Sequence, residues 1–323
     1  MRLCLVLVAL GAGLASCGSG DETRRADAPP PPARPEDFPK TGAKTILDLR
    51  DELGDEGPVL APSVSQFSPG RNRFGFALFD RARAQIADAP VAIYTAPVGG
   101  GKVSGPFLAK YESLDVKARF RSRSVANDPD SAKSIYVAEL KLPKPGRYDI
   151  LGISRLDGRL VAATPTSSGL VVRRKGTVPD VGDPAPRIDT LTEIDVGGDI
   201  SKIDTRVPPS SMHQQSFADV VGRKPMALLF ATPQLCQSRV CGPVVDIAEQ
   251  VKAERDDDTV FIHQEIFKNN KVDDGFRPQV TAWGLPTEPW LFAIDREGNV
   301  AARIEGAFSA DELERALDAA AEK

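Results

Sequence analysis

Histidine and tryptophan are almost missing from this chain, with two of each in 323 residues, and aromatic residues make up only 6%. The two histidines, His213 and His263, leave little from which to build an imidazole metal centre, so neither a metal nor a cofactor is expected. No concentrated basic patch occurs and the formal net charge is -4, which excludes the electrostatic footprint of a nucleic-acid binder. No apolar run reaches the roughly 20 residues that a membrane-spanning helix needs. No internal repeat is present. Residues 56 to 175 contain neither cysteine nor histidine, which removes the usual nucleophiles and proton carriers from the middle of the chain.

What is present is proline, 27 residues of it, and four cysteines. "APPPPARPEDFPK" accounts for much of the proline. The opening "MRLCLVLVALGAGLASC" pairs a basic Arg2 with a short apolar run and small residues before Cys17, the pattern of a secretory signal. Leu14-Ala15-Ser16-Cys17 resembles a bacterial lipobox. That resemblance implies cleavage before Cys17, lipidation of Cys17, and an anchored protein on the outer face of the cytoplasmic membrane or in the cell envelope, where disulfides persist. Residues 1–17 are thus expected to be a lipoprotein signal peptide. Residues 18–55 are expected to be a polar, Pro-rich tether ending in a short amphipathic lead-in, "TILDLRDELGDE".

From residue 56 to 175, short runs rich in β-formers alternate with turn residues. "RFGFALFD", "PVAIYTAP", "SIYVAELKLP", "YDILGISR", "RLVAATPT" and "GLVVRR" are separated by breaks such as "VGGGK", "NDPDS" and "PKPG". Six or seven strands at this spacing, without a helical period, predict an antiparallel β-sandwich. "LPKPGRYDILGI" resembles a strand opening common in immunoglobulin-like modules, which implies an architecture and no chemistry.

Residues 180–323 change character. "PMALLFA" reads as a buried strand and "CGPVVDIAEQVKAE" as a helix with Val244, Val245, Ile247, Ala248 and Val251 along one side. "TVFIHQEIF" is a second strand, "RPQVTAWG" a short helix, and "PWLFAID" with "NVAARIEG" a hairpin. "SADELERALDAAAEK" closes as a helix with Ser309 and Glu312 in capping-box spacing. "VGDPAP", "QSFADVVGRKPMALLFAT" and "TEPWLFAIDREGNVAARIEG", in that order, resemble the thioredoxin-like superfamily, in its branch of alkyl hydroperoxide reductases and membrane-tethered thiol–disulfide oxidoreductases. The resemblance implies an α/β thioredoxin-like domain, a thiol–disulfide oxidoreductase activity on extracytoplasmic protein thiols or disulfides, and a cis-proline at Pro289 beside the redox site.

The chemistry would lie in "LLFATPQLCQSRVCGPVVD", residues 228–246. Cys241 stands at a helix start, where free N–H groups and the macrodipole favour a thiolate. Pro243 suits an early helical position. Cys236, five residues upstream, can resolve a mixed disulfide formed at Cys241. The pattern departs from Trp-Cys-Gly-Pro-Cys: Val240 precedes Cys241, and Val244 occupies the place of the second thiol. Three other readings stay open. "ATPQLCQSRVC" resembles the Q-type peroxiredoxins, which would make Cys236 peroxidatic. Two cysteines with His263 resemble the copper-handling Sco proteins. The pair could also be a structural disulfide in a redox-inert binding lipoprotein. Substrates, redox direction and oligomeric state are not legible in the sequence.

Overall fold

The computed structural model describes residues 30–54, 57–255 and 258–322. The signal peptide and the proposed lipidation site at Cys17 lie outside the described residues. Among the described residues, no helix is long and apolar enough to cross a membrane.

The first domain opens with α1 (Ile46–Asp51), started by a capping box between Thr45 and Asp48. Nine strands follow: β1 (Val59–Pro62), β2 (Gly70–Phe79), β3 (Gln85–Ile86), β4 (Val91–Pro97), β5 (Ser104–Ser113), β6 (Ser134–Leu142), β7 (Gly146–Leu156), β8 (Arg159–Pro165) and β9 (Leu170–Val172). Between β5 and β6 the chain forms the single turn α2 (Arg123–Ala126).

This domain is a closed barrel, and the expected immunoglobulin-like sandwich is not found. The strands pair in the order β1-β8-β7-β4-β5-β6-β2, and β1 returns to β2 to complete a ring of seven. Short β1 closes the ring because it bonds on both edges, antiparallel to β2 with Val59 opposite Phe79, and parallel to β8 with Leu60 opposite Pro165. Closure removes the exposed edges that two stacked sheets would leave. Alternate residues point inward, and Phe74, Phe76, Leu78, Tyr136, Leu140 and Ile150 share one core, with the Phe74 and Phe76 rings stacked 5.3 Å apart. The continuous burial of β4 from Val91 to Ala96 has a local cause. Its inward residues join that core, while Ala92, Tyr94 and Ala96 are covered from outside by Leu49 of α1 and by Phe38. The described end of the Pro-rich segment therefore lies on the barrel, and Tyr94 Oη donates to the Pro39 carbonyl at 2.7 Å.

The second domain holds α3 (Phe217–Val220), β10 (Met226–Phe230), α4 (Cys241–Glu254), β11 (Val260–Gln264), α5 (Pro278–Ala282), β12 (Trp290–Ile294), β13 (Val300–Glu305) and α6 (Ala310–Ala321). The sheet order is β11-β10-β12-β13, with β10 and β11 parallel and the remaining pairs antiparallel. This is the β-α-β-α-β-β-α order expected of a thioredoxin-like fold. Helices α4 and α6 cover one face through Val244, Ile247, Val251, Leu313 and Leu317. The opposite face packs Phe217, Trp283, Phe230 and Phe292, with the Trp283 and Phe292 rings 4.4 Å apart. Burial on both faces explains why β10 and β12 carry no polar residue.

The two domains share an interface rich in ion pairs. Arg73 of β2 binds Glu312 of α6 in a fork, Nε to Oε1 at 2.7 Å and Nη2 to Oε2 at 2.9 Å, and also donates to the Glu305 and Ala307 carbonyls. Ser309, the N-cap of α6, donates to buried Glu112 of β5 at 2.6 Å. The β5–β6 connection lies across the start of α4, where Asp246 accepts from the Ser122 N–H at 2.8 Å and from Arg206 Nε at 2.8 Å.

Candidate functional site

The loop from the end of β10 to the start of α4 carries both thiols of the described residues, Cys236 and Cys241, and both are free and buried. Its shape follows from two local features. Arg239 adopts a left-handed backbone with φ of 59°, which turns the chain back on itself before the helix. Val240 stands at the N-cap, where an apolar side chain can offer the first-turn N–H groups nothing. The sulfur of Cys236 takes that place, accepting from the backbone N–H groups of Cys241 and Val240.

These donors divide the two thiols electrostatically. The Cys241 S–H donates to Cys236, and with the Ser238 hydroxyl at 3.2 Å and the two backbone N–H groups it outweighs burial, bringing the Cys236 thiol down to about 6. Cys241 is fully enclosed between α4 and the sheet; burial pushes its thiol well up, and the neighbouring Cys236 sulfur adds to the rise. The sequence reading placed the anion at Cys241 because of its helix-start position. Cys241 does occupy the first residue of α4, while the backbone N–H groups of Val240 and Cys241 act to lower Cys236.

Glu288 and Pro289 border the same site. Their peptide bond is cis, and the Pro289 carbonyl accepts from the Gly306 N–H at 2.9 Å. Burial, followed by repulsion from Cys236 and Glu265, raises the Glu288 carboxyl to about 7. Glu288 was not singled out in the sequence; its position before Pro289 was the available signal. Arg239 does not face the thiols as a free charge, since Asp128 engages its guanidinium at 3.1 Å. A cavity of about 560 Å³ adjoins the loop, lined by Pro233, Gln234 and Arg239 on one side and Arg123, Asn127 and Asp128 on the other. His263 is directed at the buried pair Asp204 and His213 and bonds the Ala231 carbonyl at 3.0 Å.

The chain matches no protein-family model and no curated protein. Among solved structures, it is similar to a chain described as a thiol:disulfide interchange protein DsbE from Chlorobium tepidum, at 20% identity and a TM-score of 0.32, covering 44% of this chain and 98% of that one. It is also similar to a thiol:disulfide interchange protein of the thioredoxin family from Chlorobium tepidum TLS, at 19% identity and a TM-score of 0.31, covering 43% and 95%. The fold assignment rests on the strand order and direction given above rather than on these likenesses.

Proposed function

We propose that this chain is a thiol–disulfide oxidoreductase in which Cys236 attacks and Cys241 resolves, acting outside the cytoplasm on protein thiols or disulfides while tethered through a lipid on Cys17. The observation that carries the reading is the pairing of two free thiols at the start of α4, with Cys236 held by the Ser238 hydroxyl at 3.2 Å and lowered, and Cys241 fully enclosed and raised. Burial and hydrogen bonding favour this order over the reverse one expected from helix position alone. Export and lipidation are supported by the signal-like opening and by Leu14-Ala15-Ser16-Cys17.

In the reducing direction, the Cys236 thiolate attacks one sulfur of a substrate disulfide. A Cys236–substrate bond forms, and the other substrate sulfur leaves as a thiolate. Cys241 then loses its proton, attacks Cys236 Sγ and expels the second substrate sulfur. Two electrons have passed from the pair to the substrate, and the pair ends as a disulfide. The oxidising direction is the reverse of these steps. Glu288, whose carboxyl is raised to about 7 and whose charge is coupled to both thiols, is our candidate to receive the Cys241 proton.

The test is intact-mass analysis after mild reduction and a limiting dose of alkylating reagent at pH 7. A single adduct on Cys236 is expected, together with a trapped mixed disulfide in Cys241→Ser and none in Cys236→Ser. First labelling of Cys241 would reverse the roles. A pair that resists alkylation, with a reduction potential below about -300 mV, would instead mark a structural disulfide. Peroxide consumption that survives Cys241→Ser but not Cys236→Ser would move the reading to a peroxidase.

A further inference from the structure

Both histidines of the chain come together at one buried point. His263 lies on β11, and His213 comes from the irregular segment that precedes α3. They meet over Asp204, and one ligand atom from each of the three residues lies within 4.8 Å of the others. All three side chains are sealed from solvent. A chain with only two histidines has no background supply from which such a meeting would arise often.

The orientation of two of the three groups, His263 and Asp204, is fixed from outside. His263 Nε2 bonds the Ala231 carbonyl at 3.0 Å; a carbonyl only accepts, so the proton sits on Nε2 and the Nδ1 lone pair faces Asp204 in the neutral ring. The Asp204 carboxylate is held by two backbone donors, Ser210 N–H to Oδ2 at 2.6 Å and Arg206 N–H to Oδ1 at 2.7 Å. An imidazole fixed through its far nitrogen, as His263 is, and a carboxylate fixed by backbone donors are what surrounds protein metal ligands, while His213 Nδ1 is buried without a partner.

The spacing at His263 is longer than that of a tight ion pair, while His213 keeps hydrogen-bond distance to Asp204. A buried imidazolium donating to a carboxylate shortens to about 2.7–2.9 Å. Here His263 Nδ1 stands 3.3 Å from Asp204 Oδ2, and Ser210 Oγ stands at the same 3.3 Å from that nitrogen. His213 Nε2 is 3.0 Å from Asp204 Oδ2. Ligands on bonds of about 2.0–2.2 Å around a tetrahedral ion are separated by about 3.4 Å, the edge length these distances approach.

We infer that Asp204, His213 and His263 form a binding site for a divalent transition-metal ion of the zinc class, with Ser210 Oγ as a further oxygen donor. Two nitrogens and a carboxylate, without thiolate, suit Zn²⁺ rather than soft Cu⁺. Closed ligands make the site structural: the ion would be taken up as the chain folds and would tie the irregular segment 199–213 to β11. That segment in turn holds the cysteine loop, since Gln234 N–H donates to Thr205 Oγ1 at 3.2 Å.

The experiment uses untagged full-length protein, stripped with chelator and refolded with or without Zn²⁺, with metal measured by mass spectrometry. About one equivalent of zinc is expected in the native protein and in Cys236→Ser/Cys241→Ser, and about a tenth of that or less in His213→Gln and in Asp204→Asn. Since either variant could fail to fold, Co²⁺ loaded into the native protein gives a second readout. Weak tetrahedral d–d bands without a sulfur charge-transfer band are expected. A native protein that takes up no metal and gains no thermal stability from Zn²⁺ would leave the trio as a buried imidazolium–carboxylate network and overturn the inference. So would a sulfur-to-cobalt band that disappears with the cysteines, or full zinc occupancy in His213→Gln.

Discussion

At the scale of single residues, the division between Cys236 and Cys241 rests on a handful of donors, and Ser238 is the most easily tested. Its hydroxyl lies 3.2 Å from the Cys236 sulfur and strengthens when that sulfur is anionic. A Cys236 thiol near 6 is nearly all thiolate at pH 7.5, so its alkylation rate should rise through pH 6 and flatten above 7. An ordinary thiol continues to gain up to pH 9. Ser238→Ala should move that midpoint up by roughly one pH unit, equivalent to about 1.4 kcal/mol, lowering the rate at pH 6.5 several-fold while leaving the rate at pH 9 nearly unchanged. A flat difference across pH would mean that the hydroxyl only packs. Much of this site was legible in the sequence: both thiols, Pro289 and the helix starting at Cys241. The order of roles we propose was not, because spacing cannot say which sulfur the helix-start N–H groups reach once Arg239 turns the loop back. Asp204 and His213 were not legible as partners of His263 either, since the segment that delivers them has no period to follow.

Among the elements, the link that matters most to the site joins the β5–β6 connection to α4. Asp246 is enclosed on the first turns of α4 and is held by the Ser122 N–H and hydroxyl from the barrel side and by Arg206 from the segment before α3. Arg206 also donates to the Phe120 and Pro208 carbonyls. Asp246→Ala would leave a buried guanidinium without its counter-charge and the Ser122 N–H without an acceptor. A loss of about 3–5 kcal/mol is expected in urea-unfolding free energy, against a much smaller loss for Asp128→Ala, whose partner Arg239 is half exposed. Equal effects of the two substitutions would contradict this ranking. The element types were read well from the sequence where burial is one-sided or complete: β10, β12, α4 and the capped α6 carry strong patterns. Strand β5 was missed because "SGPFLAKYES" is half exposed along its length and opens with Gly-Pro. The barrel was read as a sandwich because closure depends on β1 bonding two strands distant in sequence, and no local pattern in "VLAP" records a second partner.

For the whole molecule, the barrel bears on the thiol site from two directions. The β5–β6 connection meets the cysteine loop, where the Ala132 N–H donates to the Arg239 carbonyl at 3.1 Å. On the other side, Ser63 lies against Gly306 so closely that a Cβ on that glycine would stand 2.3 Å from the Ser63 carbonyl oxygen, and Gly306 is bonded to Pro289. Both thiols are buried in this arrangement, and we propose that a protein substrate reaches Cys236 when one of these contacts opens. The contact best placed to control such opening is the Arg73 fork on Glu312, because it fastens β2 to the first turn of α6 and to the carbonyls flanking Gly306. Arg73→Ala would strand a buried carboxylate and two carbonyls, at a cost of about 3–5 kcal/mol to the interface rather than to either domain core. Calorimetry of the variant should therefore resolve two transitions where the parent protein gives one, because the domains lose the coupling that makes them unfold together. The same variant should label at Cys236 several-fold faster at pH 7, with Cys241 still unreactive under its own helix. If labelling accelerates without a split in the unfolding trace, the barrel opens locally at Gly306; if neither changes, the barrel plays no part in admitting substrate to the thiols.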